Sequence, residues 1–438
     1  MPAIGRWRKK LDTAMTLNPD QLLKDLFWVA VRSALPQAVL AQHLPAPETL
    51  GSGRLLVIGA GKAAAAMAQA TEAFYGRPLE GMVITRYGHA VACEGIKVVE
   101  ASHPVPDEAG LRATREMQAM LNGLSENDTV IALISGGGSA LLTQPVEGLS
   151  LQDKQRLNAD LLASGADITE MNCVRRHLSA IKGGRLGAMC APAKLYTLVI
   201  SDVPGDSLHD IASGPTVADP TTCADALCIL DRYQIDIPKE IRSRLQEGSL
   251  ETIKPGDTRL SRTQTRLIAS PQMGLEAAAE HARQLGIPTH ILSDRIEGEA
   301  RDVGKVLAAL SAQVEWQGQP FQKPCLLISG GETTVTVRGD GVGGRNVEGL
   351  LGFGLSLPVQ SQIRALFADT DGIDGAREVA GALWGPGLAQ SSLPSGRLAR
   401  DYLDRNDAHN FFAAVNTAFT TGPTHTNIND FRAIWIPN

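Results

Sequence analysis

The first half of the chain alternates short apolar runs with longer stretches of helical pattern. The apolar runs lack the polar alternation of a half-exposed strand, and helical stretches long enough to cross a sheet separate them. Strands are predicted at residues 55–58, 82–85, 97–100, 129–134 and 195–200, and helices at 62–74 and 108–123. The pattern therefore predicts an α/β fold with a Rossmann-like, doubly wound parallel sheet.

A polar stretch at residues 247–264 interrupts this pattern and predicts a linker. We therefore divide the chain into two domains, residues 1–255 and 256–438. After the linker, strands are predicted at residues 266–270, 289–293, 325–329 and 333–338. The last two are too close together for a crossover helix, so we expect them to pair antiparallel within a mixed sheet. The active site is expected in a cleft between the two domains.

Length and composition fit a globular protein of two domains, because 438 residues exceed one ordinary core. The net charge is −6 with acids and bases interspersed, so the chain lacks the basic face that nucleic-acid binding needs. The six cysteines are scattered without a CxxC pair, which predicts reduced thiols in the cytoplasm. A cytoplasmic location is therefore expected, and a nucleic-acid partner is not.

The N-terminus is basic at residues 6–10, which raises the question of a targeting segment. The apolar run at residues 26–31 is short, and Arg32 ends it. That pattern predicts an amphipathic helix rather than the apolar core of a signal peptide. No stretch approaches the roughly 20 apolar residues of a membrane-spanning helix, so no membrane association is expected.

The first predicted strand is joined to its helix by Gly59, Gly61 and Lys62. Glycines at such a junction let the backbone approach an anion, and Lys62 adds a charge that can reach a phosphate or carboxylate. Gly59, Gly61 and Ala64 also have the GxGxxA spacing of a dinucleotide site. Arg86 ends the second strand, which leaves an NADP site open. A close helix–strand turn with a solvent-exposed lysine is the remaining alternative.

Two more glycine-rich segments follow predicted strands, one in each half of the chain. They are Ser135, Gly136, Gly137, Gly138 and Ser139 in the first half, and Gly330, Gly331 and Glu332 in the second. Consecutive glycines at the carboxyl end of a strand form a nest of N–H groups that binds anions. Because open α/β sheets bind ligands at that edge, these residues are predicted to bind the cofactor.

Acidic residues also follow predicted strands. Asp202 and Asp206 come after the strand at 195–200, and Asp371 lies in the acidic segment 369–374. Carboxylates at a strand end can hold Mg²⁺ or take a proton from a hydroxyl. Asp202, Asp206 and Asp371 are the predicted metal ligands, whereas a plain Asp-Gly turn is an equal alternative for Asp374 alone.

Basic residues and one histidine complete the candidate set. Arg345 lies in a glycine-rich setting, and an arginine can bind a carboxylate or phosphate with both arms. Arg175, Arg176, Lys182 and Arg185 form a basic cluster that fits either a binding site or a solvated helix face. His103 precedes a proline after a predicted strand and fits either substrate orientation or a capping or core role.

In unbroken order from about residue 22 to residue 430, these motifs resemble the glycerate 2-kinase family, whose C-terminal part is the MOFRL domain. The N-terminal motifs are GAGK at 59–62, HPVPD at 103–107, SGGGSA at 135–140, KGGR at 182–185, SDVPGD at 201–206 and SGPT at 213–216. The MOFRL-like motifs are SGGE at 329–332, GRN at 344–346, DTDGID at 369–374 and TGPT at 421–424. Family members are often labelled hydroxypyruvate reductases.

The resemblance implies an enzyme that phosphorylates D-glycerate at its 2-hydroxyl with ATP and Mg²⁺, giving 2-phosphoglycerate. The predicted catalytic residues are Lys62, Asp202 and Arg345. Lys62 and Arg345 would neutralise the substrate carboxylate or the transferring phosphoryl group, and Asp202 would lie near the attacking hydroxyl or its metal. Which glycine segment takes the nucleotide stays open, a homodimer is compatible with the sequence, and an NAD(P)H-dependent hydroxypyruvate reductase is the alternative function.

Two places depart from the family pattern. Residues 375–381 replace a segment that is usually rich in small residues, and His425 stands where a glycine is usual. Both lie in expected cleft loops, so they bear on metal geometry or acceptor choice more than on the fold.

Overall fold

The computed structural model describes residues 18–375, 377–391 and 396–438. The basic segment at residues 6–10 lies outside the described residues. The described residues form the strands β1 (Leu55–Ala60), β2 (Glu80–Arg86), β3 (Lys97–Ala101), β4 (Thr129–Ser135), β5 (Lys194–Ile200), β6 (Thr263–Ala269), β7 (Thr289–Glu299), β8 (Cys325–Thr334), β9 (Arg364–Asp369), β10 (Gly381–Trp384), β11 (Ala418–Phe419) and β12 (Asp430–Ile436).

The α-helices of the described residues alternate with these strands over most of the chain. They are α1 (Pro19–Ser33), α2 (Pro36–Val39), α3 (Ala64–Tyr75), α4 (Glu108–Met120), α5 (Gly138–Leu141), α6 (Leu151–Ala163), α7 (Ile168–His177), α8 (Arg185–Met189), α9 (Cys223–Arg232), α10 (Lys239–Gln246), α11 (Pro271–Gln284), α12 (Ala300–Gln317), α13 (Arg345–Ser356), α14 (Ala399–Asp404) and α15 (Ala408–Ala414). Among the described helices, none is long and apolar enough to span a membrane.

The chain divides into two compact units. The parallel-sheet unit consists of Pro36–Asp202 and Asp206–Ile268. The mixed-sheet unit consists of the described N-terminal residues 18–35, Val203–Gly205 and Ala269–Asn438. This division differs from the sequence-predicted ranges 1–255 and 256–438 at both ends of the parallel-sheet unit.

The sheet of the parallel-sheet unit has the strand order β3-β2-β1-β4-β5-β6. Its central pairs run parallel, with Gly59 opposite Val83 on one side and Leu133 on the other. Apolar side chains on these strands, such as Leu56 and Ile58, are fully buried beneath the helices. Each such side chain contributes about 1.5–3 kcal/mol to folding. The prediction of a doubly wound parallel sheet from continuous apolar runs is thus confirmed.

Strand β6 corrects the predicted start of the second sheet. We expected residues 266–270 to open that sheet, but Thr263–Ala269 is the sixth strand of the parallel sheet. The Leu195 N–H donates to the Arg262 carbonyl oxygen (3.1 Å) where β5 and β6 begin. Because the segment at 247–264 leads to this edge strand, it connects elements within one unit.

The mixed-sheet unit has the strand order β11-β10-β9-β12-β8-β7. Strands β7 and β8 are parallel, whereas β12 is antiparallel to both β8 and β9. The predicted mixed sheet is confirmed, but the predicted separate strand at 333–338 is wrong. Cys325–Thr334 is a single strand, and its antiparallel neighbour comes from the C-terminus of the chain.

Helix α1 belongs to the mixed-sheet unit, although the sequence analysis grouped it with the first domain. Its apolar face is fully buried, and the Phe27 ring meets Phe419 and Phe431 edge to face at 5.1 and 6.0 Å. The Asn18 side chain accepts from the Asp20 N–H at the first turn. The amphipathic helix predicted from the run at 26–31 is confirmed, and burial of its apolar face positions the helix in the mixed-sheet unit.

Candidate active site

The turn between β1 and α3 is bound to the end of β4 through its own backbone. Gly61 has a φ of +138°, and a β-carbon there would lie 2.1 Å from Ser135 Oγ. The Lys62 N–H donates to the Gly136 carbonyl oxygen (2.8 Å), and the Ala63 N–H donates to Ser135 Oγ (3.0 Å). The glycine is required by backbone conformation and close approach. The N–H groups of Lys62 and Ala63, just before α3, therefore already have protein acceptors.

The segment Ser135 to Ser139, which we call the glycine turn, follows β4 at the carboxyl edge of the sheet. A β-carbon on Gly136 would lie 1.7 Å from Asp202 Oδ2, so only glycine fits beside that carboxylate. At Gly137 the β-carbon position lies 3.1 Å from His103 Cδ2 and 3.3 Å from Lys62 Cγ. The structure thus brings Lys62, His103 and Asp202 together around one glycine turn. Their gathering follows from the parallel sheet, because strand ends of one direction share an edge.

A loop with unusual backbone conformation supports the glycine turn from the other side. Ala212 and Ser213 have φ values of +52° and +59°, in the left-handed region that non-glycine residues seldom adopt. Ser213 Oγ lies 2.7 Å from Ser139 Oγ. The Lys182 ammonium donates to the carbonyl oxygens of Ser139 (2.8 Å) and Ala212 (3.4 Å). Lys182 therefore ties the loop to the turn.

The acids of the segment after β5 differ in their environment. Asp202 is half-buried with its carboxylate against Gly136. Asp206 has a φ of +58°, and its Oδ1 is buried without a hydrogen-bond partner among the described residues. A buried carboxylate oxygen without a donor is unfavourable unless a cation or another ligand binds it. The third predicted metal ligand, Asp371, belongs to the mixed-sheet unit, so a metal site shared by all three stays a prediction.

The basic cluster of the parallel-sheet unit is buried or half-buried, so a solvated helix face is the wrong interpretation for it. Arg176 is 2% exposed and forms ion pairs with Asp210 and Asp219. Arg185 donates to backbone carbonyl oxygens, among them those of Arg176 and Ser179. Both arginines therefore have structural partners.

Arg345, the predicted catalytic arginine, is the first residue of α13 and the centre of a cluster in the mixed-sheet unit. Its guanidinium donates to Asp430 Oδ1 (2.8 Å), Glu332 Oε1 (2.8 Å), Asp369 Oδ2 (2.9 Å) and Asn429 Oδ1 (2.6 Å). Burial alone would lower the pKa of Arg345. The three carboxylates outweigh it and hold that pKa well above its usual value.

Two of the acids predicted in this unit have clear local roles. Asp374 is 1% exposed and accepts from the N–H groups of Asn346 (3.0 Å) and Val347 (2.9 Å), so it caps α13. Burial raises the pKa of Asp374 to about 6, although those N–H groups act to lower it. Asp371 is also buried, and it accepts from the Ile373 N–H (2.9 Å). Asp374 therefore fits the structural alternative for this segment.

The predicted phosphate loop at Gly330, Gly331 and Glu332 is not a loop. All three residues lie inside β8, where a bulge in β7 faces them. A β-carbon on Gly331 would lie 2.1 Å from the Ile296 carbonyl oxygen, which explains this glycine by strand packing. Glu332 accepts from Arg345 and, at 3.3 Å, from Asn429. A cofactor role for these residues stays a prediction.

Two features of the candidate sites were not found in the sequence. Asp430 and Asn429 hold Arg345 from 85 and 84 positions away, a distance at which no local spacing applies. Lys154 lies on α6 in an ordinary amphipathic pattern, yet it is only 4% exposed. The one sequence signal for the burial of Lys154 was its position on the apolar face of this helix.

Comparison with known proteins agrees with this architecture. Residues 22–246 match a family model described as "Domain of unknown function (DUF4147)", and residues 325–430 match the MOFRL family. The chain is 37% identical to D-glycerate 2-kinase of Thermotoga maritima, over 94% of its own length and 98% of the relative's. It is 32% identical to glycerate kinase of Homo sapiens, over 87% of its own length and 84% of the relative's.

A relative with another label and a solved structure complete the comparison. The chain is 48% identical to a protein of Agrobacterium vitis labelled as a hydroxypyruvate reductase, over 95% of its own length and 94% of the relative's. The crystal structure of glycerate kinase from Thermotoga maritima matches with a TM-score of 0.85 at 37% identity, covering 95% of this chain and 99% of that one. The chain therefore belongs to the glycerate 2-kinase family, with its DUF4147 and MOFRL domains.

Proposed function

We propose that this protein is a kinase that transfers the terminal phosphoryl group of ATP to the 2-hydroxyl of D-glycerate, giving 2-phosphoglycerate. The observation that carries the proposal is the glycine turn, with a lysine, a histidine and a carboxylate gathered around it. Phosphoryl transfer depends on positioned charge more than on covalent catalysis, and this arrangement supplies it. The relatives named as glycerate kinases support the acceptor.

The reductase that some relatives' labels suggest is the second candidate. It would use the GxGxxA spacing at Gly59, Gly61 and Ala64, where a dinucleotide's pyrophosphate needs free N–H groups at the helix start. In this chain the N–H groups of Lys62 and Ala63 donate to Gly136 and Ser135 instead. The turn therefore favours a kinase over an NAD(P)H-dependent enzyme.

Each residue at the glycine turn has a role in the proposed reaction. Lys62 neutralises charge on the transferring phosphoryl group, since a fixed ammonium stabilises the transition state more than it stabilises the ground state. Asp202 accepts the proton of the attacking hydroxyl as the new O–P bond forms and ADP leaves. Because Gly136, Gly137 and Gly138 have no side chain, phosphate oxygens can come close to their backbone N–H groups.

Mg²⁺ is the proposed metal, and the acids after β5 fit it. Hard divalent cations take carboxylate oxygens, and the unpartnered Asp206 Oδ1 is such an oxygen. Asp202 and Asp206 would hold the ion, and a ligand role for Asp371 stays a prediction from the sequence. When bound, Mg²⁺ neutralises charge on the phosphate oxygens of the nucleotide.

Asp206→Asn is expected to raise the Mg²⁺ concentration for half-maximal activity by about 10-fold or more, the scale of losing a group that supports a metal site. Asparagine keeps the shape but loses the negative charge. Activity measured over a Mg²⁺ titration at saturating ATP and D-glycerate tests this. Asp236→Asn, at an exposed position of the same unit, is the matched control. An unchanged Mg²⁺ requirement would remove Asp206 from the proposed site.

One experiment separates the two candidate functions. The protein is incubated with ATP, D-glycerate and Mg²⁺, and the products are followed by ³¹P NMR, which distinguishes 2-phosphoglycerate from 3-phosphoglycerate. We expect 2-phosphoglycerate, and no product when EDTA removes the metal. A parallel reaction with hydroxypyruvate and NADH or NADPH should leave the reduced nucleotide unoxidised. Oxidation there, without consumption of ATP in the first reaction, would overturn the kinase proposal.

A further inference from the structure

A cavity of about 320 Å³ lies beside the glycine turn within the parallel-sheet unit. Its wall includes Ser139 of the turn, His103, and three cationic side chains, those of Lys154, Arg175 and Lys182. Among the described residues no aspartate or glutamate lines it. We call this the cation pocket. A pocket with several cations and no carboxylate is built for an anion.

The three cations differ in what they already bind. The Lys182 ammonium is committed to the carbonyl oxygens of Ser139 and Ala212. Arg175 donates to Asn158 Oδ1 through Nε (3.2 Å), and a longer contact of 3.5 Å joins it to Asn172 Oδ1. For the ammonium of Lys154, no hydrogen-bond or ion-pair partner is found in the described part of the chain. Lys154 is thus a nine-tenths-buried cation without a counter-ion.

This arrangement is unfavourable until an anion binds. Burial first, and the charge of Arg175 second, lower the pKa of Lys154 to about 8. Burial, Lys154 and Arg175 lower the pKa of Lys182 well below its usual value. Desolvation and like charges both disfavour the ammonium, and an anionic ligand reverses both effects. The unliganded pocket therefore lowers the stability of the fold, and a bound anion would raise it.

We propose that the cation pocket binds the carboxylate of the hydroxy-acid acceptor through Lys154 and Arg175. The inference rests on the proposed function and names its acceptor subsite. Because Ser139 of the glycine turn lines the same cavity as Lys154 and Arg175, an acid bound this way is placed beside that turn. Apolar wall residues such as Val105 and Leu162 suit a small carbon chain, and the volume admits 2-hydroxy acids longer than glycerate.

Lys154→Met tests the proposal, since methionine matches the length of the lysine stem without its charge. We expect the KM for D-glycerate to rise at least about 10-fold, the scale of one charge-assisted hydrogen bond, while the KM for ATP stays within about twofold. Lys239→Met, an exposed lysine of the same unit, should change neither constant. A raised KM for ATP alone would assign the pocket to the nucleotide and overturn the proposal, as would two unchanged constants.

Calorimetric titration of D-glycerate without ATP gives a second measurement, independent of turnover. The anion binds the ammonium form, so affinity should be highest below pH 8 and fall as Lys154 loses its proton above that pH. The other charged or titratable groups facing the pocket, His103, Arg175 and Lys182, stay in both proteins, so Lys154→Met should lose the part of this dependence that Lys154 supplies. Glycerate binding that requires Lys154 supports the pocket even if ATP is not consumed, whereas binding unaffected by Lys154→Met overturns it.

Discussion

Replacement of Lys62 by alanine is expected to lower turnover with D-glycerate by at least about 100-fold, the scale of losing one positioned charge at a developing anion. The side chain of Lys62 lies against Gly137, at the centre of the proposed phosphoryl-transfer site. Alanine keeps the two backbone contacts of this position, the N–H donated to Gly136 and the carbonyl oxygen that accepts from Thr85 Oγ1 (3.3 Å). The turn should therefore survive the change.

Steady-state kinetics and thermal unfolding of the same preparation measure both effects. Lys97→Ala is the control, because this lysine of β3 is 54% exposed and pairs only with an exposed glutamate. We expect kcat to fall for Lys62→Ala with little change in Tm, and neither to move much for Lys97→Ala. A folded Lys62→Ala variant with near-normal kcat would make this residue an ordinary surface lysine of a tight turn.

Arg345→Lys is expected to lower kcat by about 100-fold, although the charge is kept, because lysine lacks the planar fork. The guanidinium satisfies four acceptors at once, and an ammonium has three hydrogens on a shorter reach. Asp430, whose side chain is fully buried, would lose part of its counter-charge. We therefore also expect the free energy of unfolding to fall by about 2–4 kcal/mol, the cost of weakening a buried ion pair.

The two effects of Arg345→Lys have to be separated, since a structural arginine would change stability alone. Activity is measured at a temperature where circular dichroism finds the variant fully folded. Arg301→Lys is the matched control, because Arg301 is 12% exposed and pairs with the fully buried Glu348 in the same unit. Normal kcat for a folded Arg345→Lys variant would assign Arg345 to structure and withdraw it from catalysis.

Of the two departures from the family pattern, the structure explains the one at His425 by its backbone conformation. His425 has a φ of +60°, the left-handed conformation that favours glycine and that other residues adopt at a cost of about 1 kcal/mol. The usual glycine at this position is thus explained by backbone conformation. Arg377, in the segment 375–381, forms an isolated antiparallel bridge with Asp374, which precedes the segment. Residue 376 lies outside the described residues.

The sequence by itself determined the parallel sheet and one of the candidate sites. Uninterrupted apolar runs between helices can be buried only in a sheet covered on both faces, and parallel strands bring their carboxyl ends to one edge. Lys62, the glycine turn and Asp202 each follow a strand, so their meeting was predictable from their positions. The mixed character of the second sheet was also predicted, but from a strand at 333–338 that does not form, since the antiparallel neighbour of β8 is β12.

Only the tertiary structure decided the partners of the remaining residues. Glycines at 330 and 331 have the same local pattern as the glycine turn, yet close packing against β7 places them inside a strand. The apolar face of α1 is buried by residues some 400 positions away, such as Phe419 and Phe431. The burial of Lys154 was also decided by the tertiary structure, since a lysine on an amphipathic helix is normally solvated. Local pattern sets which face of an element is apolar, whereas the contacts that bury it or leave a charge unpaired come from distant segments.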